Sequence, residues 1–287
     1  EVQPGITFRR TNELIRPFHD SLHFRLTDAQ ARVLREIYND MNSTRRMNRF
    51  LQGDVGSGKT LVALFSMLLA AESGYQSVLM APTELLAEQH ADKIQQMLRE
   101  AGLKTESVLV TGGRRTSDKL EAVVALRETD GAMMAVGTHA LIQESVRFRK
   151  LGLVIVDEQH RFGVRQRMAL VEGEGPHGRP DVLVMSATPR PRSLALTLYG
   201  DLDLSVLDEL PPGRNPVETL LRYPSQRSQV YARIDQDLEK GHQGYLVFPL
   251  VEESEKSDLK AAAQEFERLR AEVFSHRRIC LLYTSDA

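Results

Sequence analysis

Between residues 26 and 207, short apolar runs alternate with longer segments in which apolar positions recur with the period of a helix. Short, mostly apolar runs are typical of strands buried on both faces of a parallel sheet, and the helical segments fit the crossover connections between such strands. The predicted strands are residues 49–52, 77–81, 107–110, 132–136, 153–156 and 182–185. The pattern therefore predicts the α/β class, with a parallel sheet flanked by helices.

The predicted helices lie between these strands and end at recognisable stop signals. They cover residues 28–41, 59–71, 84–101 and 117–127. Gly74 and Gly102 follow two of them, and a glycine after the last turn favours the end of a helix. This alternation predicts one lobe at residues 23–207, preceded by a lead-in at residues 1–22.

Proline and glycine are concentrated at residues 208–216, which contain Pro211, Pro212, Gly213 and Pro216. Such a segment breaks helices and predicts a linker of restricted flexibility. Beyond it the pattern predicts a strand at 217–222, a helix at 225–239, a strand at 243–251 and a helix at 259–274. One βαβα unit is too small to close a domain, so we expect residues 217–275 to form part of a second lobe.

Composition narrows the class of protein without identifying it. The chain has 41% hydrophobic residues and a formal net charge of −2, which gives no overall basic surface for nucleic acid, so any such binding must be local. Arginine clusters such as Arg45, Arg46 and Arg49 are interpreted as solvated surface charge. Cys280 is the single cysteine, and no apolar stretch reaches the roughly 18 residues of a membrane span. The start at Glu1 carries no signal-peptide pattern, so we expect an internal start and a cytoplasmic location without membrane association.

The sequence between the first predicted strand and its helix matches the phosphate-binding pattern GxxxxGK[ST]. It consists of Gly53, Asp54, Val55, Gly56, Ser57, Gly58, Lys59 and Thr60. Glycines let the backbone wrap closely around a phosphate, and the positive end of the next helix favours the anion. Lys59 can meet the terminal phosphates of ATP, and Thr60 can bind Mg²⁺. The pattern predicts a P-loop nucleotide site.

Two further strand ends carry candidate chemistry. The strand at 153–156 is followed by Asp157 and Glu158. In P-loop hydrolases an acid at such a position holds the magnesium shell and a neighbouring carboxylate activates water, so we assign Asp157 to the metal and Glu158 to the water. Ser186, Ala187 and Thr188 follow another strand, and their hydroxyls could sense the state of the nucleotide. Taken alone, this last segment is equally well a strand exit with a helix-capping hydroxyl.

The P-loop, the Asp-Glu-x-His box and the Ser-Ala-Thr segment, in this order, resemble the signature of superfamily 2 helicases. Longer runs are similar to the RecG-type DNA helicases in particular. They are FRLTDAQ at 24–30, GDVGSGKTLVA at 53–63, APTELLAEQH at 81–90, DEQHRFGVRQR at 157–167 and SATPRPRSLALTLYGDLDLSVLDELPPGR at 186–214. The resemblance implies a RecA-like ATP-binding lobe with an incomplete second RecA-like lobe. It also implies an ATP- and Mg²⁺-dependent helicase acting on forked or branched duplex DNA in repair and recombination, with a monomer favoured.

The resemblance implies roles for individual residues. Phe24 would stack on adenine, and Gln30 would hydrogen-bond to it. His160 would link the Asp-Glu-x-His box to Thr188 and so couple the nucleotide to movement between lobes. The predicted catalytic set is therefore Lys59, Asp157, Glu158 and His160. The segments that would hold the DNA backbone comprise Pro82, Thr83, Glu84, Leu85, Thr111, Gly112, Gly113, Gly137, Thr138 and His139.

The sequence departs from the RecG pattern in several places. Arg190 stands where RecG proteins usually have isoleucine. The arginines of the later second-lobe motifs and the N-terminal wedge domain have no counterpart in this sequence, so we expect little or no DNA-stimulated turnover from it. The similarity ends near Ser275, and residues 276–287 are interpreted as a cloning or frame-shift remnant.

Other functions remain open at this point. The transcription-repair coupling factor shares the GDVG start and the DE-x-HRFGV box, although the LDELPPGR stretch favours RecG. A P-loop kinase or small-molecule ATPase would use the same phosphate loop and respond to a soluble acceptor rather than to DNA. A non-catalytic binding fragment is the third alternative.

Overall fold

The computed structural model describes residues 4–113, 116–129, 132–143, 146–157, 178–187, 202–209, 217–247 and 263–281. The chain divides into two compact units, Glu1–Arg214 and Asn215–Ala287. The division lies inside the segment expected to be a linker, and the domain assignment itself stays a prediction. No helix in the described ranges is long and apolar enough to cross a bilayer.

The first unit contains a seven-stranded parallel sheet. Its strands are β1 (Asn48–Gly53), β2 (Gln76–Met80), β3 (Glu106–Val110), β4 (Met133–Gly137), β5 (Leu151–Asp157), β6 (Asp181–Ser186) and β7 (Asp203–Leu207). They lie side by side in the order β3-β4-β2-β5-β6-β1-β7. Every pair of neighbours is parallel, so all the strands end at one edge of the sheet. The predicted parallel sheet is confirmed, and β7 is an additional strand.

Helices cover both faces of this sheet. They are α1 (Ile15–Asp20), α2 (Asp28–Met41), α3 (Lys59–Glu72), α4 (Glu84–Glu100) and α5 (Thr116–Glu128), with a 3₁₀ turn at His139–Ile142. Leu79 and Ile155 belong to the core that includes α1 to α4, whereas the adjacent Val78 and Val154 pack with α5. Consecutive strand residues point to opposite faces, and both faces are covered, which explains why these strands carry consecutive apolar residues rather than an alternating pattern.

The lead-in packs into the first unit. Phe8 and Phe18 are fully buried, and the Phe18 ring lies edge-on to Phe65 with centroids 4.8 Å apart. The Glu72 carboxylate, at the end of α3, accepts backbone N–H groups at the start of α1. These donors are Thr11 (2.9 Å), Asn12 (3.2 Å), Leu14 (2.8 Å) and Ile15 (2.9 Å). One anion therefore satisfies four donors and fastens the lead-in to α3.

Arg49, on β1, is buried, so the interpretation of its cluster as solvated surface charge is wrong for this residue. Its side chain is only 10% exposed. Its Nε donates to Asp40 Oδ2 at 2.7 Å, and its Nη1 donates to the Ser205 hydroxyl at 2.8 Å. The same hydroxyl donates to Glu36. Arg49 thus joins α2, β1 and β7 from inside the unit, because a guanidinium can be buried when its donors meet carboxylates.

The second unit contains α6 (Arg227–Glu239), preceded by a 3₁₀ turn at Pro224–Gln226, and a helical segment at 263–268 that continues as a π-helix at Leu269–Val273. The Tyr231 and Phe274 rings pack edge to face at 5.7 Å. The strands predicted at 217–222 and 243–251 are wrong as far as the structure describes them, since 217–222 and 243–247 are not extended ladders. Val217 is 84% exposed and Val247 87% exposed. A strand is stable only where a neighbour pairs with its backbone, and apolar sequence alone does not supply one.

Asp235, on α6, binds the first residues of the segment interpreted as a remnant. Arg277 Nε donates to Asp235 Oδ1 at 2.7 Å, and His276 Nε2 lies 3.1 Å from the same oxygen. The Arg277 guanidinium is the main cause that holds the pKa of Asp235 below its usual range. These contacts do not test the origin of residues 276–287, which stays a prediction.

Candidate nucleotide site and nucleic-acid interface

The predicted site residues lie along one edge of the sheet, because each follows the end of a parallel strand. The P-loop follows β1, Asp157 ends β5, and Ser186 ends β6, and these three strands are neighbours in the order β5-β6-β1. The expected DNA segments follow β2, β3 and β4, which are neighbours in the order β3-β4-β2. The edge therefore has a nucleotide half and a second half, and the two meet where β2 lies beside β5.

The P-loop has the backbone shape that binding a phosphate requires. Gly56 and Gly58 have φ angles of 81° and 99°, in the left-handed region that strains other residues. Lys59 begins α3, and its Nζ donates to the carbonyl oxygens of Gly53 (2.6 Å) and Asp54 (3.0 Å). Because Gly58 precedes the helix without a capping side chain, the first N–H groups of α3 face the loop and favour an anion.

Gln30 has a place that the sequence did not indicate. It is 1% exposed, and its Oε1 accepts the Thr27 N–H at 3.0 Å, which completes a capping box at the start of α2. Its Nε2 donates to the Ser57 carbonyl at 2.8 Å. A side-chain carbon on Gly58 would overlap the Gln30 amide. Gln30 therefore fixes the P-loop from α2, and its expected hydrogen bond to adenine stays a prediction, as does stacking by Phe24, which is 51% exposed.

Asp157 has a partner that sequence reasoning missed, His90 on α4. The two side chains are 12% and 13% exposed, and His90 Nε2 lies 2.7 Å from Asp157 Oδ2. A carboxylate only accepts hydrogen bonds, so the imidazole N–H donates. The signal in the sequence was a histidine at the margin of the apolar stripe formed by Ala87, Ala91 and Ile94.

The donor set fits magnesium. Asp157 and Thr60 offer hard oxygen ligands, and Mg²⁺ typically uses one or two such groups together with water and phosphate oxygens. Within the described ranges there is no group of three or more His, Cys, Asp or Glu side chains that could hold a metal by itself. Glu158, His160 and Thr188 lie outside the described residues, so their predicted roles rest on the sequence.

The three expected DNA segments are joined by hydrogen bonds. Glu84 Oε1 accepts the Gly113 N–H at 2.8 Å, and the Ala81 N–H donates to the Gly137 carbonyl at 2.8 Å. The Thr138 N–H donates to the Val110 carbonyl at 3.3 Å. The structure thus brings the segments after β2, β3 and β4 together on one surface.

Exposure divides the residues of this surface. Leu85 is 64% exposed, and Glu84, Gly112, Gly113 and His139 are also exposed. Pro82 and Thr83 are half-buried, and Thr83 Oγ1 caps α4 by accepting the Leu86 N–H at 3.3 Å. Thr111 and Thr138 are each 1% exposed. Their hydroxyls face inward, so contacts by main-chain and exposed groups are better placed to meet a DNA backbone than these two side chains.

One cavity lies beside the P-loop, and another lies away from it. One of about 170 Å³ is lined by Gly53, Asp54 and Ala187 together with residues 206–209. A larger one, about 350 Å³, lies among α1, α2 and α3 and is lined by none of the predicted site residues. The smaller cavity adjoins the P-loop, since Gly53 and Asp54 line it.

Comparison with known proteins adds to this geometry. Residues 27–197 match the family described as DEAD/DEAH box helicase. The chain is 49% identical over 284 residues to the ATP-dependent DNA helicase RecG of Synechocystis sp., covering 99% of this chain and 33% of that protein. It is 48% identical over 273 residues to RecG of Bacillus subtilis, covering 94% of this chain and 39% of that protein. The chain therefore spans between about a third and two fifths of the length of these relatives.

Solved structures give the same result. The chain resembles the structure of RecG bound to a three-way DNA junction with a TM-score of 0.79 and 41% identity, covering 94% of this chain and 35% of that one. It resembles a DEAD box protein from Methanococcus jannaschii with a TM-score of 0.53 and 16% identity, covering 91% of this chain and 76% of that one, which is a likeness of fold alone. The predicted RecG resemblance and the predicted RecA-like α/β fold are confirmed.

Proposed function

Because the chain belongs to the DEAD/DEAH box helicase family, we propose that it supplies the ATP-binding motor lobe of an ATP-dependent DNA helicase that remodels branched DNA. The observation that carries this proposal is the common sheet edge, on which a P-loop and a strand-end carboxylate lie beside a second, connected surface. A phosphate loop alone would serve many reactions. The second surface and the similarity to RecG helicases together favour nucleic acid as the substrate on which ATP hydrolysis acts.

In this proposal the P-loop holds the triphosphate. Backbone N–H groups between Gly53 and Thr60 bind the phosphate oxygens, and Lys59 turns from the loop carbonyls to the terminal phosphates. Thr60 and Asp157 would hold magnesium, which when bound neutralises charge on the phosphates. Glu158 accepts a proton from the attacking water. Phe24 and Gln30 bind the adenine ring.

The DNA backbone binds at the surface formed after β2, β3 and β4. Main-chain N–H groups and exposed side chains of residues 82–85, 111–113 and 137–139 make these contacts, which explains how a chain of net charge −2 binds a polyanion. Branched duplex as the substrate is supported by the RecG relatives and by the RecG structure bound to a three-way junction. Ser186, Ala187 and Thr188, with His160, transmit the state of the nucleotide.

Equilibrium binding by the purified chain tests this proposal. We expect a fluorescent ATP analogue to bind in the presence of Mg²⁺ and forked DNA to change its affinity. Lys59→Ala should abolish nucleotide binding, whereas Glu158→Gln should retain it and abolish any hydrolysis. A chain that binds no nucleotide would overturn the proposal. Nucleotide binding whose affinity does not change with DNA would favour the kinase or small-molecule ATPase instead.

Location and assembly complete the proposal. We place the protein in the cytoplasm, where the DNA of bacteria such as those that encode the RecG relatives lies, and propose that it acts as a monomer. Light scattering across a hundredfold range of protein concentration tests the monomer, and a mass that rises with concentration would contradict it.

A further inference from the structure

The contact between His90 and Asp157 joins the two halves of the sheet edge. Asp157 belongs to the nucleotide half, at the end of β5, and His90 belongs to α4, the helix that follows β2. The Nε2–Oδ2 distance of 2.7 Å and the low exposure of both side chains describe a short hydrogen bond shielded from water. Such a bond to a charged acceptor is stronger than one between neutral groups.

The N-terminal end of α4 lies at the surface expected to bind DNA. The helix begins at Glu84, whose carboxylate accepts the Gly113 N–H, and the next residue, Leu85, is 64% exposed. His90 lies six residues after Glu84, which is about 9 Å along the helix axis. A shift of α4 on contact with DNA is therefore carried to His90 within less than two turns.

The helix is held in a way that favours movement as a unit. Its apolar residues Ala87, Ala91, Ile94 and Leu98 are buried against the core, and Thr83 caps its first turn. Packed elements of this kind shift by small rigid translations rather than by bending. His90 lies at the margin of this inner face and contacts Asp157, the first residue of the Asp-Glu-x-His box.

We propose that His90 is a positioning residue that orients the Asp157 carboxylate toward magnesium and couples that orientation to DNA bound at the start of α4. This inference rests on the proposed function and adds to it a direct physical connection between its two binding sites. With Oδ2 held by the imidazole, Oδ1 is the oxygen presented to the cation. Hydrogen-bond partners of metal ligands typically change metal affinity 10- to 100-fold when they are removed.

The test measures the Mg²⁺ concentration that gives half-maximal binding of a fluorescent, non-hydrolysable ATP analogue, with and without forked DNA. We compare the unaltered chain with His90→Ala and with His90→Gln, whose amide N–H can occupy the position of the imidazole Nε2. Gln96→Ala is the matched control, because Gln96 lies on the same helix, is exposed and loses a comparable hydrogen bond, to Glu100 at 2.8 Å. Thermal unfolding of each variant verifies folding.

We expect His90→Ala to raise the Mg²⁺ midpoint about tenfold, as partners of metal ligands do. It should also remove the shift in midpoint that DNA causes, while DNA affinity measured in EDTA stays within about twofold of the unaltered chain. His90→Gln and Gln96→Ala should stay within about threefold of the unaltered midpoint. In an Asp157→Asn background, His90→Ala should have no further effect, since the hydrogen bond then has no charged acceptor to orient.

The outcomes separate this inference from the proposed function. If the unaltered chain binds Mg²⁺–nucleotide and DNA and His90→Ala does the same with an unchanged midpoint, only the role of His90 is overturned. A raised midpoint in His90→Ala that His90→Gln fails to restore, or that Gln96→Ala reproduces, also overturns it, because the effect is then one of helix stability. Failure of the unaltered chain to bind nucleotide overturns both.

Discussion

Gln30→Glu is a substitution that separates the two hydrogen bonds of the Gln30 side chain. Glutamate at the third helical position completes a capping box as well as glutamine does, so the bond from the Thr27 N–H is kept and the negative charge is favourable at the start of α2. The bond to the Ser57 carbonyl is lost, because the amide N–H is replaced by an oxygen. The P-loop therefore loses its fastening to α2 while the helix keeps its cap.

The size of the effect follows from the burial of the site. Loss of a buried hydrogen bond costs about 1 kcal/mol, and two opposed oxygens, one of them on a carboxylate that is almost fully buried, add a desolvation cost of similar or greater size. We expect the free energy of unfolding to fall by about 2–3 kcal/mol, which for a unit of this size lowers Tm by about 5–10 °C. Because the phosphate loop is then less preorganised, we expect about tenfold weaker binding of Mg²⁺–ADP.

Differential scanning fluorimetry with and without Mg²⁺–ADP, together with titration calorimetry, measures both quantities. Gln96→Glu is the control, since it makes the same chemical change at an exposed position of α4. A Gln30→Glu chain that melts within about 1 °C of the unaltered one and binds Mg²⁺–ADP equally well would refute the argument that Gln30 fixes the P-loop.

Three further substitutions test the packing of the first unit. Burial raises the pKa of Asp181 to about 8. Between about pH 4 and pH 8 the folded state therefore holds a proton that the unfolded state has lost. The free energy of unfolding should fall by up to about 1.4 kcal/mol for each pH unit as the pH rises through this range. Asp181→Asn should remove that part of the pH dependence in urea unfolding measured from pH 5 to 8, and parallel profiles would contradict us. Glu72→Gln should lower the free energy of unfolding by about 2 kcal/mol and speed amide hydrogen exchange at residues 11–15, because the side-chain amide cannot accept from all four donors. Unchanged exchange rates would contradict this. Arg49→Met should lower the free energy of unfolding by about 3 kcal/mol. This is toward the lower end for a broken buried ion pair, because Asp40 and Glu36 keep some exposure. A variant that denaturant unfolding shows to be as stable as the unaltered chain, or more stable, would contradict this.

The sheet was predictable because its signal is local. β2, β4 and β6 are buried along their whole length and β5 is buried from its second residue onward, so each contains a run of apolar residues that is visible in the sequence. β7 was missed because its burial rises and falls along an edge strand, which leaves no such run. In the second unit the opposite error arose, since apolar residues near 217–222 and 243–247 have strand propensity without a neighbouring strand in the described ranges to pair with.

The site was predictable at its backbone and less so at its side chains. Glycine spacing gave the P-loop, because the left-handed angles at Gly56 and Gly58 depend on local residue type. The partners of Gln30 and His90 lie 27 and 67 residues away in the chain, and no pattern of spacing predicts such pairings. The burial of Arg49 has the same explanation, since its charge is satisfied by residues of α2 and β7 that only the fold brings near.

The order of the strands decides where the nucleotide and the second surface can influence each other. β1, β5 and β6 end at the P-loop half of the sheet edge, β2, β3 and β4 end at the other surface, and the two groups touch only between β2 and β5. His90 and Asp157 lie at that junction.

A second set of contacts starts where α2 begins, beside the P-loop. Glu209 Oε2 accepts the Ala29 N–H at 3.1 Å, and Arg32 Nη2 donates to Asp208 Oδ1 at 2.9 Å. The residues that follow β7 are thereby held against the helix that carries Gln30. Gln30, on the same helix, donates to the Ser57 carbonyl of the P-loop. The P-loop is therefore connected through α2 to residues 208 and 209, and Asp157 is connected through His90 and α4 to the surface proposed for DNA.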